Sequence, residues 1–155
     1  MPSRLSHLEC ALCAATLEAD RLQARCRCGG TLLCRYDLSQ PIDLGDVRQR
    51  PPSLVRFEEL LPPLPGVASL GEIETPLLTA PRLSSRWGTT IFVKDDSALP
   101  GGTFKARGAF AGLNRARSLG ATRVVMPSAG NAGGAWALYA ARAGVELHVT
   151  MSRSA

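Results

Sequence analysis

Arg123-Val124-Val125-Met126-Pro127-Ser128-Ala129-Gly130-Asn131-Ala132-Gly133-Gly134 reads as a strand, a tight polar loop and the opening of a helix. Residues 123–126 are a short apolar run closed by Pro127, suited to a buried strand. From Asn131 to Ala143 the chain is Ala-rich, with Ala132, Ala135, Trp136 and Tyr139 at helical spacing, and Gly144 stops it. Working outward, residues 145–151 predict a further strand. Upstream, the β-branched and aromatic run Thr89-Thr90-Ile91-Phe92-Val93-Lys94 predicts another, followed by a helix from Thr103 to about Leu119 that ends at Gly120. Strand–helix–strand–helix–strand predicts an α/β fold built on an open parallel sheet with right-handed crossovers. Ligands of such sheets bind at loops leaving the carboxyl ends of strands, here the Gly-rich segments 100–103 and 128–134.

These two loops carry the chemistry. Leu99-Pro100-Gly101-Gly102-Thr103-Phe104-Lys105-Ala106-Arg107-Gly108 puts Lys105 in a first helical turn. The positive end of a helix beside an amine favours the neutral form that attacks an aldehyde. In Ser128-Ala129-Gly130-Asn131-Ala132-Gly133-Gly134, backbone amides and a helix N-terminus form an anion site suited to a carboxylate or phosphate. Asn131 can cap that helix or reach a ligand. Taken singly, a first-turn lysine is a solvated cation and Gly130-x-x-Gly133 lacks the full dinucleotide spacing.

Lysine usage sharpens the first loop. Sixteen of the eighteen basic residues are Arg, and Lys94 and Lys105 are the exceptions. Arginine stays protonated, whereas lysine can lose its proton and act as a nucleophile.

Four of the five cysteines form a pattern, Cys10-x2-Cys13 and Cys26-x-Cys28-Gly29-Gly30. Two close pairs on either side of a hairpin-sized insert suit a four-thiolate zinc ribbon. A metal-free knuckle and a redox pair are the alternatives. A segment this small needs a staple, because it cannot bury enough apolar surface to fold alone. Cys34 reads as a small buried residue rather than a ligand. Residues 39–70 hold Pro41, Pro51, Pro52, Pro62, Pro63 and Pro65 and read as a linker with a short helix at Val55–Leu61. The expected division is a zinc-ribbon-like segment at 1–38, the linker at 39–70 and an α/β region at 71–155.

Composition narrows the function classes. Forty-five per cent of residues are apolar and 20 per cent charged, as in a globular protein. The net charge of +5 sits at the C-terminal end, where residues 101–155 carry seven cations against Glu146 alone. Those cations are spaced out, and Phe110 and Tyr139 do not interleave with them as a stacking platform for nucleic acid would. No run of about 18 apolar residues escapes a charge, Pro or Gly, so no membrane span is expected. Without an apolar N-terminal core, a cytoplasmic location is expected.

In order and spacing, several runs together resemble the tryptophan-synthase-β-like, fold-type-II pyridoxal-phosphate enzymes, and among them the threonine synthases. The runs are Gly71-Glu72-Ile73-Glu74-Thr75-Pro76-Leu77, Phe92-Val93-Lys94-Asp95-Asp96, Gly102-Thr103-Phe104-Lys105-Ala106-Arg107-Gly108 and Ser128-Ala129-Gly130-Asn131-Ala132-Gly133. The Cys-rich segment, followed by Gly29-Gly30-Thr31-Leu32 and Tyr36-Asp37-Leu38, resembles the N-terminus many threonine synthases carry. The resemblance implies that Lys105 holds pyridoxal 5′-phosphate covalently and then shuttles protons. It implies that Asn131 hydrogen-bonds the cofactor's 3′-oxygen, and that Ser128, Ala129, Gly130, Asn131 and Ala132 cradle the carboxylate of a small amino-acid substrate. Cys10, Cys13, Cys26 and Cys28 are the candidate zinc ligands, and Lys94 is expected to be structural.

The reaction implied is conversion of O-phospho-L-homoserine to L-threonine and phosphate, a carbon–oxygen lyase reaction acting on a phosphate. Ala106 stands where threonine synthases usually have an acidic residue, a version shared with related dehydratases. A threonine or serine ammonia-lyase is therefore the alternative, and a non-catalytic remnant or split subunit a second. The family's cofactor-phosphate loop would lie beyond residue 155. The expectation is an N-terminal portion of the enzyme, binding cofactor poorly and weakly active or inactive by itself, with a C-terminal half or a second copy as partner.

Overall fold

The computed structural model describes residues 3–154. The N-terminal part is a three-stranded antiparallel sheet of β1 (Leu5–Cys10), β2 (Thr16–Leu17) and β3 (Leu32–Tyr36), in the order β2-β1-β3. Leu8 faces Leu17 on one side and Cys34 on the other, and Cys10 faces Leu32. Few of its side chains are buried: Leu12, Leu22 and Leu38 are all more than half exposed. Cys34 is exposed too, correcting its reading as a buried residue, and it lies outside the group formed by the other four cysteines.

The Pro-rich stretch 39–70 holds a short helix, α1 (Leu44–Gln49), capped by the Asp43 carboxylate, and a 3-10 turn at Leu54–Leu60. Leu54, Val55, Leu64 and Leu70 pack on the core of the C-terminal part. The Asn114 carboxamide accepts from the Ala68 N–H (2.7 Å) and donates to the Ala68 carbonyl (3.2 Å), both buried. Arg50 grips the buried Glu59 carboxylate with two N–H groups, holding its pKa down at about 2.

The C-terminal part runs β4 (Leu77–Thr79), α2 (Pro81–Trp87), β5 (Phe92–Lys94), α3 (Lys105–Ser118), β6 (Arg123–Pro127), α4 (Asn131–Ala143) and β7 (Glu146–Thr150). β6 and β7 pair in parallel, with Val124 beside Leu147 and Met126 beside Val149. β5 departs from the sequence expectation. It pairs antiparallel with β4, Leu78 facing Val93, and does not join the β6–β7 sheet. The left-handed turn at Gly88 ends α2 and returns the chain beside β4, so the nearest strand in sequence takes up the β5 hydrogen bonds.

The core is a helix-on-helix contact. α3 buries Ala106, Ala109, Phe110, Leu113 and Asn114, and α4 buries Gly133, Ala135, Tyr139 and Ala140. Phe110 and Tyr139 meet edge to face at 5.9 Å, a favoured aromatic geometry. The small residues let the two helices approach, and a Cβ on Gly112 would lie 3.0 Å from the Trp136 ring. Ala106 is wholly buried in this contact, so the helix packing calls for a small apolar residue there. No helix among the described residues is long and apolar enough to cross a membrane.

Candidate active site

Lys105 is the first residue of α3. Before it, the chain from β5 turns through 3-10 segments at Asp96–Ala98 and Pro100–Gly102. Gly101 and Gly102 have φ of +76° and +64°, left-handed values that only glycine adopts freely. The turn packs under α4, with a Cβ at Gly101 meeting Leu138 at 3.0 Å. The Lys105 side chain is exposed, and its Nζ lies 4.4 Å from the centroid of the exposed Phe104 ring. Among the described residues Nζ has no hydrogen-bond or ion-pair partner. Lys94 differs. Its ammonium donates to the Thr75 carbonyl, so it is already engaged.

At the second loop, the N-cap of α4 is Gly130 and the Asn131 carboxamide makes no cap hydrogen bond. The capping is done by Ser128, whose hydroxyl oxygen accepts from Gly133 N–H at 2.9 Å and Gly130 N–H at 3.3 Å. Asn131 is exposed, and no partner among the described residues takes its carboxamide. Among the described residues the N–H groups of Asn131 and Ala132 also lack an acceptor. They remain as donors at the positive end of a 13-residue helix. Gly133 is fixed by space, since a Cβ there would lie 3.1 Å from Val149 and 3.3 Å from Ser128. The geometry does not use the Asn131 side chain as the cap of α4.

Flanking the first loop lies a polar network that the sequence did not single out. Arg107 donates from Nε to Asp96 Oδ2 (2.8 Å) and from Nη2 to Asp96 Oδ1 (2.7 Å). The buried Thr75 hydroxyl donates to Asp96 Oδ1 at 2.8 Å, and its oxygen lies 3.1 Å from Arg107 Nη2. The Arg107 fork holds the Asp96 carboxyl at about 2. The available signal was an Arg in the first turn of α3, two residues after Lys105, with adjacent carboxylates at the end of β5. A second buried group is Glu72, which accepts from Tyr139 Oη (2.6 Å), Ser69 Oγ (2.6 Å) and Leu70 N–H (2.9 Å). Burial opposes the Glu72 charge, yet these donors keep its pKa below the ordinary value.

In the N-terminal sheet, Cys10, Cys13, Cys26 and Cys28 bring their four sulfurs within 4.8 Å of one another. The separations Cys10–Cys28, Cys13–Cys28 and Cys13–Cys26 are 3.4, 3.5 and 3.7 Å. A tetrahedron of thiolates about 2.3 Å from a central zinc has edges of about 3.8 Å. The donor set and spacing therefore fit a tetrahedral metal, and the separations are far from a disulfide bond. Gly30 belongs to the construction, because a Cβ there would sit 2.5 Å from Cys10 Sγ. Backbone N–H groups of Cys13 and Leu12 lower the Cys10 thiol to about 6. For Cys28 the Gly30 N–H acts in the same sense, but the neighbouring thiols outweigh it and push the group up to about 12. Negative charge gathered on one sulfur makes the next harder to ionise unless a cation joins them.

This cluster is tied to the rest of the chain through α3. Arg115 donates to the Ala19 carbonyl (3.0 Å) and to Asp20 Oδ1 (2.6 Å) in the insert between the cysteine pairs.

Residues 68–155 match the pyridoxal-phosphate dependent enzyme family. A threonine synthase of Methanosarcina acetivorans is 34% identical over 148 residues, covering 94% of this chain and 36% of its own length. The threonine synthase of Halalkalibacterium halodurans is 37% identical over 103 residues, 63% of this chain and 28% of its own. That of Mycobacterium leprae is 44% identical over 75 residues, 48% of this chain and 21% of its own. The chain thus spans little more than a third of the longest-matched of these relatives, and that match takes in the Cys-rich segment as well as the two loops. With the family match covering more than half of its residues, the chain belongs to the pyridoxal-phosphate dependent enzymes.

Proposed function

We propose that this chain provides the lysine and asparagine loops of a threonine synthase, which converts O-phospho-L-homoserine to L-threonine and phosphate. The observation that carries the reading is the contrast between the two lysines. Lys94 is bound to a backbone carbonyl, while the Lys105 amine, at an exposed helix start beside the Phe104 ring, has no hydrogen-bond or ion-pair partner among the described residues. An amine free of acceptors suits attack on an aldehyde. Pyridoxal phosphate, when bound, supplies an electron sink for charge developing on a substrate carbon. The protein's part is to hold, orient and move protons. Lys105 Nζ would hold the cofactor and carry protons to and from the substrate carbons, and the Asn131 carboxamide would donate to the cofactor's 3′-oxygen. The N–H groups of Asn131 and Ala132 would receive the substrate carboxylate, with Ser128 shaping the loop rather than spending its hydroxyl on the ligand. The matched relatives bear the threonine synthase name, which favours this substrate over those of the ammonia-lyases.

We further propose that Cys10, Cys13, Cys26 and Cys28 hold a structural zinc ion, on the strength of their sulfur spacing. The cofactor reading is tested by adding pyridoxal phosphate to the chain and following the visible absorption it gains on bonding an amine. Lys94→Ala retains the change and Lys105→Ala abolishes it. Retention in Lys105→Ala overturns the assignment.

A further inference from the structure

The network below α3 has a geometry that bears on Lys105 itself. Lys105 and Arg107 are two residues apart, about 200° around a helix. When one is anchored inward, the other is turned outward. Arg107 is anchored by a fork–fork pair, which fixes rotation as well as distance, because two parallel N–H···O bonds leave one planar arrangement. The anchor is fixed in turn. Thr75, 2% exposed, gives its hydroxyl to the same carboxylate, and the Asp95 N–H donates to the Pro76 carbonyl at 2.9 Å. Asp96 begins the connection from β5 and Arg107 lies in the first turn of α3, so the pair spans the glycine turn that delivers Lys105. That turn contains two left-handed glycines and would otherwise be the pliant part of the site.

We propose that Arg107, through Asp96 and Thr75, is a positioning residue that sets the rotation of the first turn of α3 and so presents the Lys105 amine outward to the cofactor. This rests on the reading of Lys105 as the cofactor-holding residue. The chain offers an internal control, because its two lysines can be compared in one sample. The wild-type chain and its variants are incubated with pyridoxal phosphate and reduced with borohydride. Label at Lys105 relative to Lys94 is then measured by peptide mapping, with helical circular dichroism recorded on the same samples.

Arg107→Gln and Asp96→Asn lower the Lys105:Lys94 ratio about tenfold, the order of effect that follows small misplacement of a reacting group. Thr75→Val, which keeps shape and loses the hydroxyl, lowers it several-fold, whereas Thr75→Ser, which keeps the hydroxyl, leaves it at the wild-type value. The serine and valine pair decides the matter where the charge variants lose helix content. Ratios unchanged in Arg107→Gln, Asp96→Asn and Thr75→Val, with wild type labelled at Lys105, overturn the positioning role alone. A wild-type chain with no preference for Lys105 overturns the reading of Lys105, and the positioning role falls with it.

Discussion

The Cys-rich sheet and the α3–α4 layer are held together by different physics. In the sheet, leucines at 12, 22, 33 and 38 are exposed, and Cys10 and Cys26 are its buried apolar side chains. In the helical layer Phe110, Leu113 and Tyr139 are almost completely enclosed among alanines. Apolar burial of about 25 cal/mol per Å2 sustains the second region and is scarcely present in the first. If the four thiols hold zinc as proposed, the N-terminal sheet depends on that ion, and the helical layer on how its side chains fill space. Arg115 joins the two regions through Ala19 and Asp20, so each can lose its own support while the joint is still visible.

Metal removal is the most forceful way to break this contrast. With zinc bound, structural thiolate sites contribute on the order of 10 kcal/mol. The purified chain is expected to carry about one zinc ion under reducing conditions. A strong chelator, or Cys10→Ser, is expected to free the amides of β1 and β3 to hydrogen exchange while those of α3 and α4 stay protected. Uniform loss of protection throughout the chain would show that the two regions share one source of stability.

The converse perturbation is smaller. Leu113→Ala removes a fully buried side chain between α3 and its neighbours. It is expected to cost about 3 kcal/mol in urea unfolding followed by helical circular dichroism. The zinc content should be unchanged. Metal lost together with helix stability would again contradict separate supports.

Acid gives the smallest and most local effect. Asp96 is held at about 2 by the Arg107 fork, below an ordinary 3.8. A carboxyl depressed in the folded state adds stability that is complete above the unfolded value, near pH 4, and is lost as pH falls through about 2. Stability of the helical layer should decline across that window, and Asp96→Asn should flatten the decline. A decline of equal depth in Asp96→Asn would assign it to other groups such as Glu59, which Arg50 holds equally low.

Much of this was legible in the sequence where local signals and tertiary structure agree. The runs at 105–118 and 131–143 are periodic and bounded by glycines, and both became helices close to the expected limits. Gly29-Gly30 after the second cysteine pair pointed to a turn; the structure divides the work, Gly29 taking a φ of +86° and Gly30 leaving room for Cys10 Sγ. Strand pairing was less legible. A run such as 89–94 declares that it is extended but not which neighbour it will join, and β4, itself exposed, was too short to announce itself. The site shows the same limit. Lys105 and Asn131 stood out by type and position, whereas the Thr75–Asp96–Arg107 network joins residues up to 32 apart that become neighbours only after folding. That Ser128 and not Asn131 caps α4 was likewise undecidable from residue preference, since both side chains can accept from a helix N-terminus.

The central claim is that the amine of Lys105 is the group that captures the cofactor's aldehyde. Its most direct test is borohydride reduction of the wild-type chain after incubation with pyridoxal phosphate, followed by identification of the labelled residue by mass spectrometry. The label is expected at Lys105, with Lys94, bound to the Thr75 carbonyl, marked far less. Label at Lys94 in preference, or divided evenly between the two lysines, would contradict it.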